Sequence, residues 1–143
     1  MTLYNTDFYQ WSQQQAALVR AGKVQELDLD NVAEELESLG ISQWHALESR
    51  LDVLVGHLLK WRYQAVRRSR SWQRTIMEQR RRIRRLLRRS PSLQRHVSTM
   101  ITEEYASIRT QTALETRLPE TTFPQMCPWT LEQVLDDDFW PEE

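Results

Sequence analysis

The chain has 143 residues and 17.2 kDa, with 40% hydrophobic and 27% charged residues, a composition that fits one globular domain and excludes a disordered chain. Three glycines, five prolines and one cysteine favour long helices over a sandwich or barrel, and exclude an intrachain disulfide or a cysteine-rich zinc site. The net charge of −1 conceals three blocks: residues 1–59 carry 3 basic and 9 acidic side chains, residues 60–89 carry 13 and 1, and residues 90–143 carry 3 and 10.

Five helical segments follow from period and punctuation. The first spans about Thr6–Ala21, with Thr6 as N-cap, Gly22 at the stop and Tyr4, Phe8, Trp11, Leu18 and Val19 as its apolar face. The second spans about Asp30–Leu39, with Val32, Leu36 and Leu39 on one stripe and Gly40 as terminator. The third runs from Ser42 to about Val66, and Trp44, Leu47, Leu51, Leu54, Leu58 and Trp61 form a bundle seam. The fourth covers about Ser71–Arg89, with Trp72, Ile76, Ile83 and Leu87 inward. The fifth opens at Ser90-Pro91, carries Leu93, Val97, Ile101 and Ile108, and ends near Leu118-Pro119.

The core helices thus cover about 6–118, and residues 119–143 read as a wrapping tail. Phe123-Pro124 and Cys127-Pro128 imply extended chain, and Thr130-Leu131-Glu132-Gln133 is a capping-box pattern opening a short helix to Leu135. The tail should bury Phe139 or Trp140, with Cys127 reduced and packed beside Phe123 and Trp129. The expected fold is an all-α, single-domain bundle.

Some polar residues fall where the helical wheel calls for apolar ones. Arg80 lies on the stripe of Ile76, Ile83 and Leu87, Gln15 between Trp11 and Val19, and Glu104 between Ile101 and Ile108. Glu35 flanks the second stripe and His57 the seam. An arginine in a bundle core needs an acid, because an unpaired buried charge is very costly; Glu35 or Glu104 is the expected partner. Gln15, Glu35, His57, Arg80 and Glu104 therefore form either a structural polar network or a pocket for a small ligand or metal.

The basic block is almost wholly arginine. Arg67, Arg68, Arg70, Arg74, Arg81, Arg82, Arg84, Arg85, Arg88 and Arg89 make a candidate anion-binding face. Catalytic patterns are absent: no glycine-rich phosphate loop, paired-histidine zinc motif or nucleophile elbow occurs. Glu34 and Glu37 are helical neighbours, but the Glu-x-x-His pairs of carboxylate-bridged bundles are missing, so no metal and no cofactor is expected.

Taken together, several segments resemble a known family. They are Tyr4-x-x-Asp7-Phe8-x-x-Trp11, Gln15-Ala16-x-Leu18-x-Arg20-x-Gly22, Asp28-Leu29-Asp30-Asn31 and Ala33-Glu34-Glu35-Leu36-Glu37-Ser38. His57-Leu58-Leu59-Lys60-Trp61, Ser71-Trp72, Gln79-Arg80 and Ser90-Pro91-Ser92-Leu93 follow, then Phe123-Pro124, Cys127-Pro128 and Leu135-Asp136-Asp137-Asp138-Phe139. The chain resembles domain of unknown function number 29, a bacterial and largely cyanobacterial family, from Tyr4 to Pro141. The resemblance implies an almost entirely helical fold and assigns no activity, substrate or catalytic residue. The family often has a proline after the position of Trp61; Tyr63-Gln64-Ala65-Val66 has none, so the third helix is expected to run further here.

Three functions remain open to the sequence. The first is a non-enzymatic protein-interaction module whose arginine helix and acidic tail set partner choice. The second is a nucleic-acid-binding module using residues 67–89, with weak affinity because acidic blocks flank the arginines. The third is an enzyme or metal site around Glu34, Glu37, His57 and Arg80. No apolar run reaches the roughly 18 residues needed to cross a bilayer, and the N-terminus lacks a basic-then-apolar leader. A cytoplasmic protein without a membrane partner is expected.

Overall fold

A computed structural model describes residues 2–142, which form six α-helices, four of them long, and no strand. The fold is all-α. Two compact units emerge, Met1–Ser42 and Gln43–Glu143.

The first unit contains α1 (Leu3–Thr6), α2 (Phe8–Arg20) and the start of α3 (Leu29–Tyr63). Asp7 rather than Thr6 caps α2: its carboxylate accepts from the Gln10 amide at 3.0 Å, and the chain breaks between two helices there. Beyond α2 the chain reverses at Gly22, whose φ of 72° lies where a side chain would be strained. Trp11 is buried, with the Tyr4 ring edge-on at 4.7 Å. Indole Nε1 of Trp11 donates to Asp28 at 3.0 Å, and the Asp28 amide donates to Gln15 Oε1 at 2.8 Å. Asn31 also donates to Asp28, at 2.9 Å, and these hydrogen bonds hold its carboxyl below the usual carboxylate range.

The expected break at Gly40 does not occur. The second and third predicted helices are one continuous α3 of 35 residues. Gly40 keeps ordinary helical backbone with open space where a Cβ would stand. An interior glycine costs about 1 kcal/mol relative to alanine, too little to stop a helix whose flanks both propagate. The predicted stripe of Val32, Leu36 and Leu39 is not a core stripe either: Leu36 and Leu39 are exposed.

The second unit holds the rest of α3 with α4 (Arg70–Arg89), α5 (Val97–Thr116) and α6 (Leu131–Leu135). The seam residues Leu47, Leu51, Leu54 and Leu58 are buried with Ile76, Ile83, Val97, Ile101 and Ile108. A second α3 stripe, Val55, Gly56 and Leu59, is buried as well. Gly56 faces α5, where a Cβ would meet Thr112 Oγ1 at 3.4 Å, an ordinary van der Waals contact. Despite the missing proline, α3 ends at Tyr63, and a 3₁₀ turn, Ala65–Arg67, carries the chain to α4. Ser69 caps α4 by accepting from the Trp72 amide at 3.1 Å. The Ser90-Pro91 signal opens a 3₁₀ stretch, Pro91–His96, so that α5 begins only at Val97. Arg117, at φ 59°, closes α5 in the left-handed conformation.

After α5 the tail packs back on the rest of the second unit. Phe123 and Val134 are fully buried, and Phe123 meets Tyr63 edge-on at 5.6 Å. The capping box at Thr130 and Gln133 is present. Trp140 is partly buried against Trp61, at 4.7 Å between ring centroids, and Pro141 is buried.

Candidate functional site

The amphipathic pattern of α4 decides which way its arginines face. Ile76, Arg80, Ile83, Leu86 and Leu87 turn inward, so Arg74, Arg81, Arg82, Arg85, Arg88 and Arg89 turn outward.

Arg80 is the exception inside the stripe, at 0% exposure. Its partner is not an acid, contrary to the sequence expectation. Nε donates to the Val134 carbonyl at 2.8 Å, and Nη2 donates to Phe139 O at 2.9 Å and Gln133 O at 3.4 Å. The charge is met by peptide dipoles of the folded-back tail, which suit a guanidinium's fixed fork of donors. Nη1 has no hydrogen-bond partner among the described residues, but Cζ stands 5.6 Å from the centroid of the Trp140 ring. Burial pushes the Arg80 pKa down, and Asp137 and Asp136 act against that shift.

The other members of the expected polar network are held separately. Gln15 serves Asp28, and Glu35 accepts from the Tyr4 hydroxyl, pushing the phenol up to about 12. His57 Nδ1 pairs with the Val53 carbonyl at 2.8 Å, and burial pushes its pKa down. Glu104 is half-buried. Glu34 and Glu37, the carboxylates of the enzyme reading, are exposed. Among the described residues, no three of His, Cys, Asp and Glu form a group suited to a metal ion.

Asp52 is a polar residue the seam reading missed. It lies three residues before Val55 and seven before Leu59, on the second buried stripe. Its Oδ1 is buried without a hydrogen-bond partner among the described residues, and burial, with help from Glu104 and Glu48, pushes its pKa up to about 6. The folded chain therefore binds this proton more tightly than the unfolded chain does. The resulting stability is fully present below about pH 4 and is lost as pH rises through about 6. Asp52→Asn is expected to raise stability at pH 7 by about 1 kcal/mol, a value reduced for solvent screening, and to change little at pH 3.5. Urea unfolding at the two pH values measures this.

The arginines of the predicted anion-binding face divide into two sets. Arg68 is turned into the fold: Nε donates to Trp61 O at 2.7 Å, and the guanidinium lies 5.1 Å from the Trp61 ring. It leaves the predicted face. Arg81 and Arg82 share Glu78, whose carboxyl these hydrogen bonds hold down at about 2. Arg84 grips Asp137 of the tail with two donors, each at 2.9 Å, and Nη1 also reaches Leu135 O at 3.2 Å. Arg67, Arg70, Arg74, Arg85, Arg88 and Arg89 are exposed and make no ion pair among the described residues. A groove of about 870 Å³ runs between α4 and the tail, with Arg70, Arg74, Arg81 and Arg84 on one side and Asp137 and Asp138 on the other.

Cys127 is free and half-buried, with Sγ 3.7 Å from the Trp129 carbonyl. Burial pushes its thiol pKa up, so little thiolate is present at neutral pH. Alkylation of the native protein by iodoacetamide at pH 7.5 should be slow, and should accelerate on adding denaturant.

No curated protein and no solved structure matches the chain. The family model described as Domain of unknown function DUF29 matches residues 3–140. Nearly every segment described above falls within that match, from the Tyr4–Glu35 pair to the tail that receives Arg80, and the chain belongs to this family.

Proposed function

We propose that the protein is a non-enzymatic interaction module that docks an acidic segment of a partner protein on the outward arginines of α4. One observation carries the reading: the chain already binds such a segment in cis. Arg84 forks onto Asp137, while Arg80 and Arg84 take backbone carbonyls of the same tail. The tail neutralises Arg84 and leaves Arg70, Arg74, Arg85, Arg88 and Arg89 of the same helix without acidic partners among the described residues. Arginine suits this task because its planar fork engages a carboxylate through two parallel hydrogen bonds.

Fluorescence anisotropy with a labelled glutamate- and aspartate-rich peptide tests the reading. Binding should weaken steeply with salt, as exposed charges are screened beyond about 8 Å at physiological ionic strength. It should be lost in the Arg74→Glu/Arg85→Glu double variant. Asp137→Asn should strengthen it by freeing Arg84. Tight, sequence-dependent binding of duplex DNA at physiological salt, with none of the peptide, would replace this reading by the nucleic-acid one.

A further inference from the structure

We infer that a concavity between α3 and α4 is a discrete site for clustered phosphoryl groups, whether of free inorganic polyphosphate or of a nucleotide triphosphate. The inference rests on reading the outward arginines of α4 as an anion-docking face, and adds a second wall and a ligand class. The concavity measures about 520 Å³ and is lined by Gln43, Ala46, Arg50, Arg81, Arg82, Arg85, Leu86 and Arg89. Five guanidiniums face one space, and no carboxylate among the described residues lines it.

Helical geometry places four of them there. Arg82, Arg85 and Arg89 follow the i, i+3, i+7 spacing of one face, and Arg81 lies one turn before Arg85. The fifth, Arg50, comes from α3, where it is the sole basic side chain other than histidine between Gln43 and Leu59. Arg50 is half-buried, and its Nη1 donates to Gln79 Oε1 at 3.3 Å, which orients the guanidinium beside α4. Among the described residues, only Glu78 offsets any of these charges, through Arg81 and Arg82. Arg85 and Arg89 have no ion-pair partner among the described residues.

Like charges gathered in one concavity repel, and a dense anion relieves that repulsion. A phosphoryl group presents three strong acceptor oxygens and a charge of up to −2, so neighbouring groups engage several guanidinium forks at once. Carboxylates on a peptide are monovalent and spaced by its backbone. The volume exceeds the roughly 300 Å³ lower bound of ordinary ligand pockets and accommodates a short phosphate chain. Ala46 and Leu86 give one apolar wall.

Isothermal titration calorimetry of the full chain with sodium tripolyphosphate, with ATP, and with the acidic peptide tests the proposal. Arg50→Gln and Arg85→Gln should each weaken tripolyphosphate binding by roughly tenfold, the scale of one charged hydrogen-bonding group. Arg88→Gln removes the same charge from the same helix outside the concavity, and should change binding less than about twofold. Arg50→Lys, which keeps the charge and loses the fork, should be intermediate. Circular dichroism on each variant checks folding. Equal affinity for tripolyphosphate and ATP would assign recognition to the phosphates alone; tighter ATP binding would assign a contribution to the nucleoside. If Arg88→Gln weakens binding as much as Arg85→Gln in folded variants, the charge is smeared and the site does not exist. If the peptide binds and tripolyphosphate does not, the site fails while the acidic-partner reading stands. If neither binds, both fail.

Discussion

Arg80→Ala should lower unfolding stability by about 3–5 kcal/mol, the range in which a large buried side chain and its charged hydrogen bonds are lost together. The side chain is fully buried, and its donors reach carbonyls of Val134, Phe139 and Gln133. Truncation leaves a cavity and three acceptors facing it. Release of the tail into water would limit the loss, and would show as new proteolytic cleavage between residues 119 and 142 under native conditions. Arg80→Lys should rescue little, because one ammonium cannot reproduce the geometry of Nε and Nη2. A loss below about 1 kcal/mol, the scale of an exposed pair, would mean that the tail carbonyls do not hold this charge.

Phe123→Ala should cost a similar 3–5 kcal/mol, as large aromatic truncations in packed cores do. Phe123 is 1% exposed and edge-on to Tyr63. Its carbonyl accepts from Arg109 Nε at 3.1 Å, and the next carbonyl, Pro124 O, accepts from the Tyr105 hydroxyl at 2.7 Å. These contacts fix the point where the chain leaves α5 for the tail. Phe123→Leu should recover more than half of the loss, since it restores most of the apolar volume. Chemical denaturation of the three proteins orders them; equal stability of the alanine variant and the parent would show that the tail is not anchored there.

The bundle seam was legible because Leu47, Leu51, Leu54 and Leu58 repeat at the spacing of one helix face, and that repeat reports burial directly. The anomaly of Arg80 was legible for the same reason: a charged residue on an apolar stripe stands out. Its partner was not, because the acceptors are main-chain carbonyls, which every residue carries and no sequence pattern marks. Gly40 misled because glycine punctuates helices only where the backbone turns left-handed, as at Gly22. The spacing of Leu36 and Leu39 resembled a core stripe, yet both are exposed; period shows that residues share a face, and only contacts show what covers it. Of the candidate anion face, the α4 arginines could be read from composition. Arg50 could not, because a lone arginine on another helix acquires meaning only when packing sets it beside α4.

The tail's hold on Arg80 also bears on when the protein can fold during its own synthesis. The acceptors for this guanidinium lie 53 to 59 residues further along the chain. A ribosome makes about 5–20 residues each second from the N-terminus, so α3, α4 and α5 are all synthesised before any native partner for Arg80 exists. Until residues 133–139 emerge, the side of Arg80 that meets the tail is open to water, so its charge stays solvated while α3, α4 and α5 form. Burial of Arg80 and Val134 is thus the last step of the second unit's core, and a nascent chain stopped before Gln133 should keep the α4 face that the tail covers open to proteases and chaperones.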